Sequence, residues 1–212
     1  MTLTAPRSNE FKPKNFELVP EGTHVARLYQ ILHIGTVEDE YMGEKKMVDK
    51  IRLTFELSNE RKEFREGEGE KPFSISKEMT FSMNEKAWLR KIIEGMLGVA
   101  LSDDEAYAFD LEDVSGKPCL ISVVHKTTKG GNKIAVIQSA AKLPKGTKEP
   151  EAFNEARILD VNTVTDEDLE KLPGFLREKL YASAEWKKRD AIEEDAAKDA
   201  EETIDPKVDI PF

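Results

Sequence analysis

Hydrophobic and polar residues alternate with a period of two over several stretches, the pattern of strands with one face on a core. The cleanest runs from Met47 to Leu57. There Ile51, Leu53, Phe55 and Leu57 fall on one side, and Lys50, Arg52, Thr54 and Glu56 on the other. Thr23 to Val37 reads as an earlier strand, β-branched and aromatic, with Val25, Arg27, Tyr29 and Ile31 sharing a face. Ser74 to Met83 reads as a third, with Ile75, Met79, Phe81 and Met83 inward, hydroxyl residues outward and Phe73 opening its core row. Lys117 to Thr127 and Lys133 to Ala140 form a further pair, joined by the turn Lys129-Gly130-Gly131-Asn132. The charged stretches 38–46 and 59–72 read as loops. One helix interrupts the strands. It is predicted over Glu85 to Leu97, with Asn84 as N-cap, Gly98 past its end, and Trp88, Leu89, Ile92, Ile93 and Met96 as a core-facing stripe. After Leu143 the pattern changes. A linker covers Pro144 to Pro150, and Val161 to Arg189 is mostly helical. Thr165 and Asp168 mark a helix start, Pro173 opens a second helix or kinks a long one, and Leu172, Phe175, Leu176, Leu180, Tyr181 and Trp186 form an apolar face.

Three strands, a helix and a closing strand pair is the element order of the OB-fold, a five-stranded Greek-key barrel. The expected fold is therefore mainly β: an OB-fold-like barrel with a helix between strands 3 and 4, followed by a C-terminal helical extension and a disordered acidic tail. The expected division is an N-terminal arm (1–19), the barrel (20–141), a linker and helical extension (142–189) and the tail (190–212). In such barrels the face of strands two and three, with the loops after strands one and four, takes oligonucleotides. That face and those loops hold Tyr41, Lys45, Lys46, Lys50, Arg52, Lys126, Lys129 and Lys133.

Composition narrows the class. Of 212 residues 39% are hydrophobic and 35% charged, and the net charge is −10. Residues 190–212 hold nine acidic residues and two lysines, −7 of that total, so residues 1–189 carry only −3. The acidity is thus separable from a nearly neutral body. The single cysteine, Cys119, excludes an internal disulfide. No apolar run is long enough to span a bilayer, and residues 1–10 lack the apolar stretch of a signal peptide. A soluble protein of the cytoplasm, free of membrane, is expected. The acidic run finishes in an apolar tip, Asp209-Ile210-Pro211-Phe212. A strand of this kind suits a basic pocket, where cations take the carboxylates and an apolar slot takes the ring.

That tip, behind an acidic run and an OB-like element order, resembles the single-stranded DNA-binding proteins of bacteriophages. Residues 20–141 match the barrel, and Pro20-Glu21-Gly22 matches a Pro-x-Gly before the first strand in related phage replication and recombination proteins. The resemblance implies binding of single-stranded DNA without sequence preference in the bacterial host cell. It also implies recruitment of replication, recombination or repair proteins through Asp209, Ile210, Pro211 and Phe212.

Such binding needs cations along the phosphate path and flat groups for the bases. Lys50 and Arg52 lie two apart in a strand and so share a face. Tyr41 follows the first strand, Arg27 and Tyr29 share a face within it, and Lys126, Lys129 and Lys133 make a basic finger. No catalytic constellation is readable, and the chain is expected to be no enzyme and to need no cofactor or metal. His24, His33 and His125 lack metal-ligand spacing, and Asp103 and Asp104 stand in an acidic segment without a partner base. Two other readings fit the same pattern: an OB-fold interaction module of the replication machinery that never touches DNA, and a strand-annealing protein. A homo-oligomer is compatible with each.

Overall fold

The structure, a computed structural model, describes residues 17–41 and 43–192, without the side chain of Tyr41. The expected tail tip, Asp209 to Phe212, lies outside the described residues, as does most of the N-terminal arm. The fold is mainly β. Six strands form one open sheet: β1 (Gly22–Tyr41), β2 (Glu44–Glu63), β3 (Glu70–Thr80), β4 (Pro118–Thr127), β5 (Lys133–Lys142) and β6 (Arg157–Asp160). The order is β3-β2-β1-β4-β5, antiparallel throughout, with β6 added parallel to β1.

The hairpins reach further than the alternation predicts. β1 and β2 stay paired out to Tyr41 and Glu44, around a turn in which Gly43 takes a φ of +83°. β2 and β3 continue to Glu63 and Glu70, because an irregularity between Leu57 and Arg61 resets the register instead of ending the ladder. Much of the charged stretch 59–72 is therefore strand. A second irregularity, between Leu28 and Gln30, changes which face of β1 looks inward. Ala26, Leu28 and Ile31 join the core, so Ile31 does not share a face with Val25, Arg27 and Tyr29 as expected.

The sheet has six strands rather than five because β4 leaves β1 early. β4 pairs with Gly22 to Arg27, and β6 takes the same edge from Gln30 to His33. β1 is buried on both faces there, which accounts for its run of apolar residues. On the inner face Ile31 joins Ile51, Leu53, Phe55, Leu57, Phe73, Ile121 and Val123; on the outer face Leu32 and Ile34 meet Leu159, Val161, Leu176, Leu180 and Trp186.

Helix α1 (Trp88–Leu97) lies between β3 and β4 and packs on β5 through Leu89, Ile92, Ile93 and Met96. The approach is close: a Cβ on Gly95 would sit 2.1 Å from the Ala140 carbonyl oxygen, so only glycine fits. Asn84 does not cap this helix. It heads a turn, its Oδ1 accepting from the Lys86 N–H, and the helix begins later with Ala87 at its N-cap. Arg90, almost fully buried, pairs with Glu94 within α1 and ties the helix to the short helix α2 (Asp103–Tyr107) through Asp103.

After the linker come α3 (Asp166–Glu170) and α4 (Gly174–Ala182), then helical residues 184–192. The Thr165–Asp168 capping box forms as predicted, and Pro173 separates two helices. Leu172, Leu176, Leu180 and Trp186 are buried, whereas Phe175 and Tyr181 are half exposed rather than core. Among the described residues no helix is long and apolar enough to cross a membrane.

His33 fastens this extension to the sheet. Its Nδ1 lies 3.0 Å from Asp160 on β6 and its Nε2 lies 2.8 Å from Asp49 on β2. Burial pulls the imidazole pKa down, but the hydrogen bonds and charges of the two aspartates outweigh it and raise it above 6.5 overall. Nearby, Glu185 accepts from the N–H and hydroxyl of Thr36. With the folded pKa raised, this stabilisation is complete below 6.5 and is lost as the pH climbs through the higher folded value. The melting temperature followed by tryptophan emission should therefore fall as the pH rises from 6.5 through the raised folded value. In His33→Gln that component should vanish from the profile.

Candidate nucleic-acid interface

Of the ten residues expected to meet DNA, the eight cations separate by whether a carboxylate already answers their charge. On β1 and β2 the cations are matched. Arg27 is largely buried and donates to Glu56, to the Gly116 carbonyl and to the Asn154 carbonyl, so it is a fastening inside the fold. Lys50 is bound to Asp39, Lys45 to Glu38 at 2.8 Å and Lys46 to Glu44 at 3.2 Å. Arg52 lies 4.0 Å from Glu78 and 5.6 Å from the centre of the Phe175 ring. Burial lowers its pKa below the usual arginine value, and the Glu78 charge opposes that fall.

The partners of Lys45, Lys46 and Lys50 lie within the β1–β2 hairpin, and the extension covers Arg52. Phe175 stacks over Arg52, and Lys179 beside it binds Glu78 at 2.6 Å. Further along, Phe153 and Asn154 of the linker donate to Glu56, whose side chain has no exposure. The outer face of β2, expected to be an open groove, is a packed interface. Nothing local in the alternation of Lys50, Arg52, Thr54 and Glu56 announces this, because the covering residues lie about a hundred positions away. Tyr29 is half buried, at the edge of a polar cavity of about 440 Å³ with Arg157 and Lys171. Tyr41 ends β1.

The β4–β5 hairpin differs. Its turn is built by Thr128, whose N–H donates to the Asn132 carbonyl and whose carbonyl accepts from Gly131, itself at a φ of +81°. Lys126, Lys129 and Lys133 project from it exposed, and among the described residues none of them has an ion pair. The sequence carries a signal for this difference: residues 114–148 contain no acidic residue, whereas Lys45 and Lys46 stand among Glu38, Asp39, Glu40 and Glu44.

Two residues outside the predicted set belong with them. β3 and β5 are the open edges of the sheet and run close beside one another without a ladder. Lys77 of β3 bridges this seam, donating to the Ile137 carbonyl of β5 at 3.2 Å. It also sits 4.1 Å from the centre of the Trp88 ring. Burial lowers its pKa, and the nearby charge of Lys126 lowers it further. Trp88, expected in the core, is 45% exposed. The alternation hinted at Lys77: it is the one polar residue in the inward row of Phe73, Ile75 and Met79.

Elsewhere, Asp103 is held by Arg90 at 2.6 Å. Among the described residues no group of histidine, cysteine and carboxylate side chains has the arrangement of a metal site. Cys119 is buried, and burial pushes its thiol pKa up to about 12. No protein-family model, curated protein or solved structure matches the chain.

Proposed function

We propose that the chain binds single-stranded DNA without sequence preference, and that its sheet, with the order β3-β2-β1-β4-β5, is an OB-type barrel. The observation that carries this reading is the group Lys126, Lys129 and Lys133, exposed and without an ion pair among the described residues, beside Lys77 and the exposed ring of Trp88. Cations that no neighbouring carboxylate of the sheet answers keep their charge for phosphates, and an exposed indole stacks on any base. The strand runs along the β3–β5 seam and the β4–β5 finger, not across β2. It needs no chemistry from the protein, and the proposed activity is binding alone.

The test is an anisotropy titration with labelled oligo-dT at two salt concentrations, with duplex as control. Binding to oligo-dT that weakens steeply with salt, and is stronger than to duplex, is the expected result. No binding at low salt sinks the reading. It would leave the interaction module, which the matched cations of β1 and β2 favour.

Residues 190–212 enter this reading as a tethered competitor. Their −7 charge is held at high effective concentration near a basic surface, and DNA frees them for a replication or recombination protein. Removing them should raise oligo-dT affinity several-fold at low salt, with the gain shrinking as salt screens the attraction. An unchanged affinity ends the competition and leaves the DNA reading standing.

A further inference from the structure

A second surface has the opposite character. Between the end of β3 and the segment after α1, a groove of about 390 Å³ is walled by Phe81, Met83, Tyr107, Phe109 and Leu111, with Asp49 at its edge. Tyr107 is 68% exposed and Phe81 38%. Phe81 was expected inward. Instead it lies 5.0 Å from the His33 ring, and its N–H donates to the Asp49 carbonyl. The groove is a fixed part of the fold, because Arg90 anchors its outer wall to α1 through Asp103 and the Leu101 carbonyl.

The charge around it selects the occupant. Residues 102–113 contain six acidic residues and no basic one. Arg90 answers Asp103, and the side chains of Glu105 and Asp110 are spent on the local backbone. Asp104, Glu112 and Asp113 are exposed, with no cation bound among the described residues. Nucleic acid is repelled here. An apolar side chain flanked by cations is attracted on both counts, its body filling the aromatic groove and its neighbours reaching the carboxylates.

We propose that this groove docks a basic, apolar-anchored segment of another protein, on a face that DNA cannot occupy. The two surfaces divide by charge: lysines at the β4–β5 finger for phosphates, carboxylates and aromatics at the α2 segment for a protein. The groove stands whether or not DNA proves to be the ligand of the lysines.

The test compares two labelled peptides of equal charge and length, one alternating arginine with leucine and phenylalanine, the other alternating arginine with serine. A chain of net charge −10 attracts both. Filling the groove should make the first bind roughly tenfold more tightly or better, the worth of burying one large apolar side chain. Tyr107→Ser, a change at a largely exposed position, should remove most of that preference. Asp104→Asn with Asp113→Asn should weaken both peptides and keep the preference. Peptide-induced amide shifts should centre on residues 81–83 and 104–113. Equal affinity for the two peptides, a preference that survives Tyr107→Ser, or shifts that centre elsewhere each overturns the proposal.

Discussion

Replacing Glu56 with alanine should cost about 3–5 kcal/mol of stability, the largest loss from any single change considered. The Glu56 carboxylate has no exposure and accepts four hydrogen bonds: from Arg27 at 3.0 Å, from the Phe153 and Asn154 N–H groups at 3.1 and 2.9 Å, and from the Asn154 side chain at 2.7 Å. Its loss leaves the Arg27 guanidinium, 13% exposed, with carbonyls but no countercharge. It also orphans two backbone donors that hold the linker on β2. The chain between β5 and β6 should loosen, and the Trp186 core behind it with it. Urea unfolding followed by tryptophan emission measures the loss; a change under about 1 kcal/mol would show that the contact is not a fastening. Arg27→Met combined with Glu56→Leu should recover most of the stability, because apolar residues of similar volume often replace a buried pair at little cost.

Glu56 also shows where reading the sequence stops. The period-two pattern of Ile51, Leu53, Phe55 and Leu57 is local, and all four are buried as predicted. The β4–β5 turn, the Thr165–Asp168 cap and the helix between β3 and β4 are local in the same sense. The opposite face of β2 obeys no local rule. Lys50, Arg52, Thr54 and Glu56 look solvated until residues 151–182 fold over them. β6 is four residues in a stretch, 151–160, between the linker and the helices, and only its pairing with Gln30 to His33 makes it a strand. Trp88 misled for a geometric reason. At 100° per residue it stands roughly 90° from the centre of the stripe of Leu89, Ile92, Ile93 and Met96, at the first turn, where the core ends. Its ring projects from the stripe's margin toward Lys77. The candidate site was half legible: the basic residues could be listed, and the partners of Lys45, Lys46 and Lys50 lie within the β1–β2 hairpin, but the covering of Arg52 by Phe175 depended on long-range packing.

That distinction yields the second large effect. Converting Lys126, Lys129 and Lys133 together to glutamine should reduce the dependence of log affinity on log salt by about 2, since each phosphate contact on a single strand contributes ~0.7. At low salt the same triple variant should bind oligo-dT more than tenfold less tightly. Stability should hardly change, because all three side chains are exposed and make no ion pair among the described residues. Lys45→Gln with Lys46→Gln is the matched control. These lysines are as exposed as the others, but Glu38 and Glu44 already answer them, so the salt slope should stay near that of the intact protein. The contrast is informative because charge count alone predicts similar losses from both variants, whereas compensation predicts a loss from one. The reverse outcome, a triple variant that binds normally and a Lys45/Lys46 variant that does not, would move the DNA path to the β1–β2 hairpin. It would mean that DNA displaces the carboxylates from those lysines, and that the cations of the β4–β5 finger serve only to keep the chain in solution.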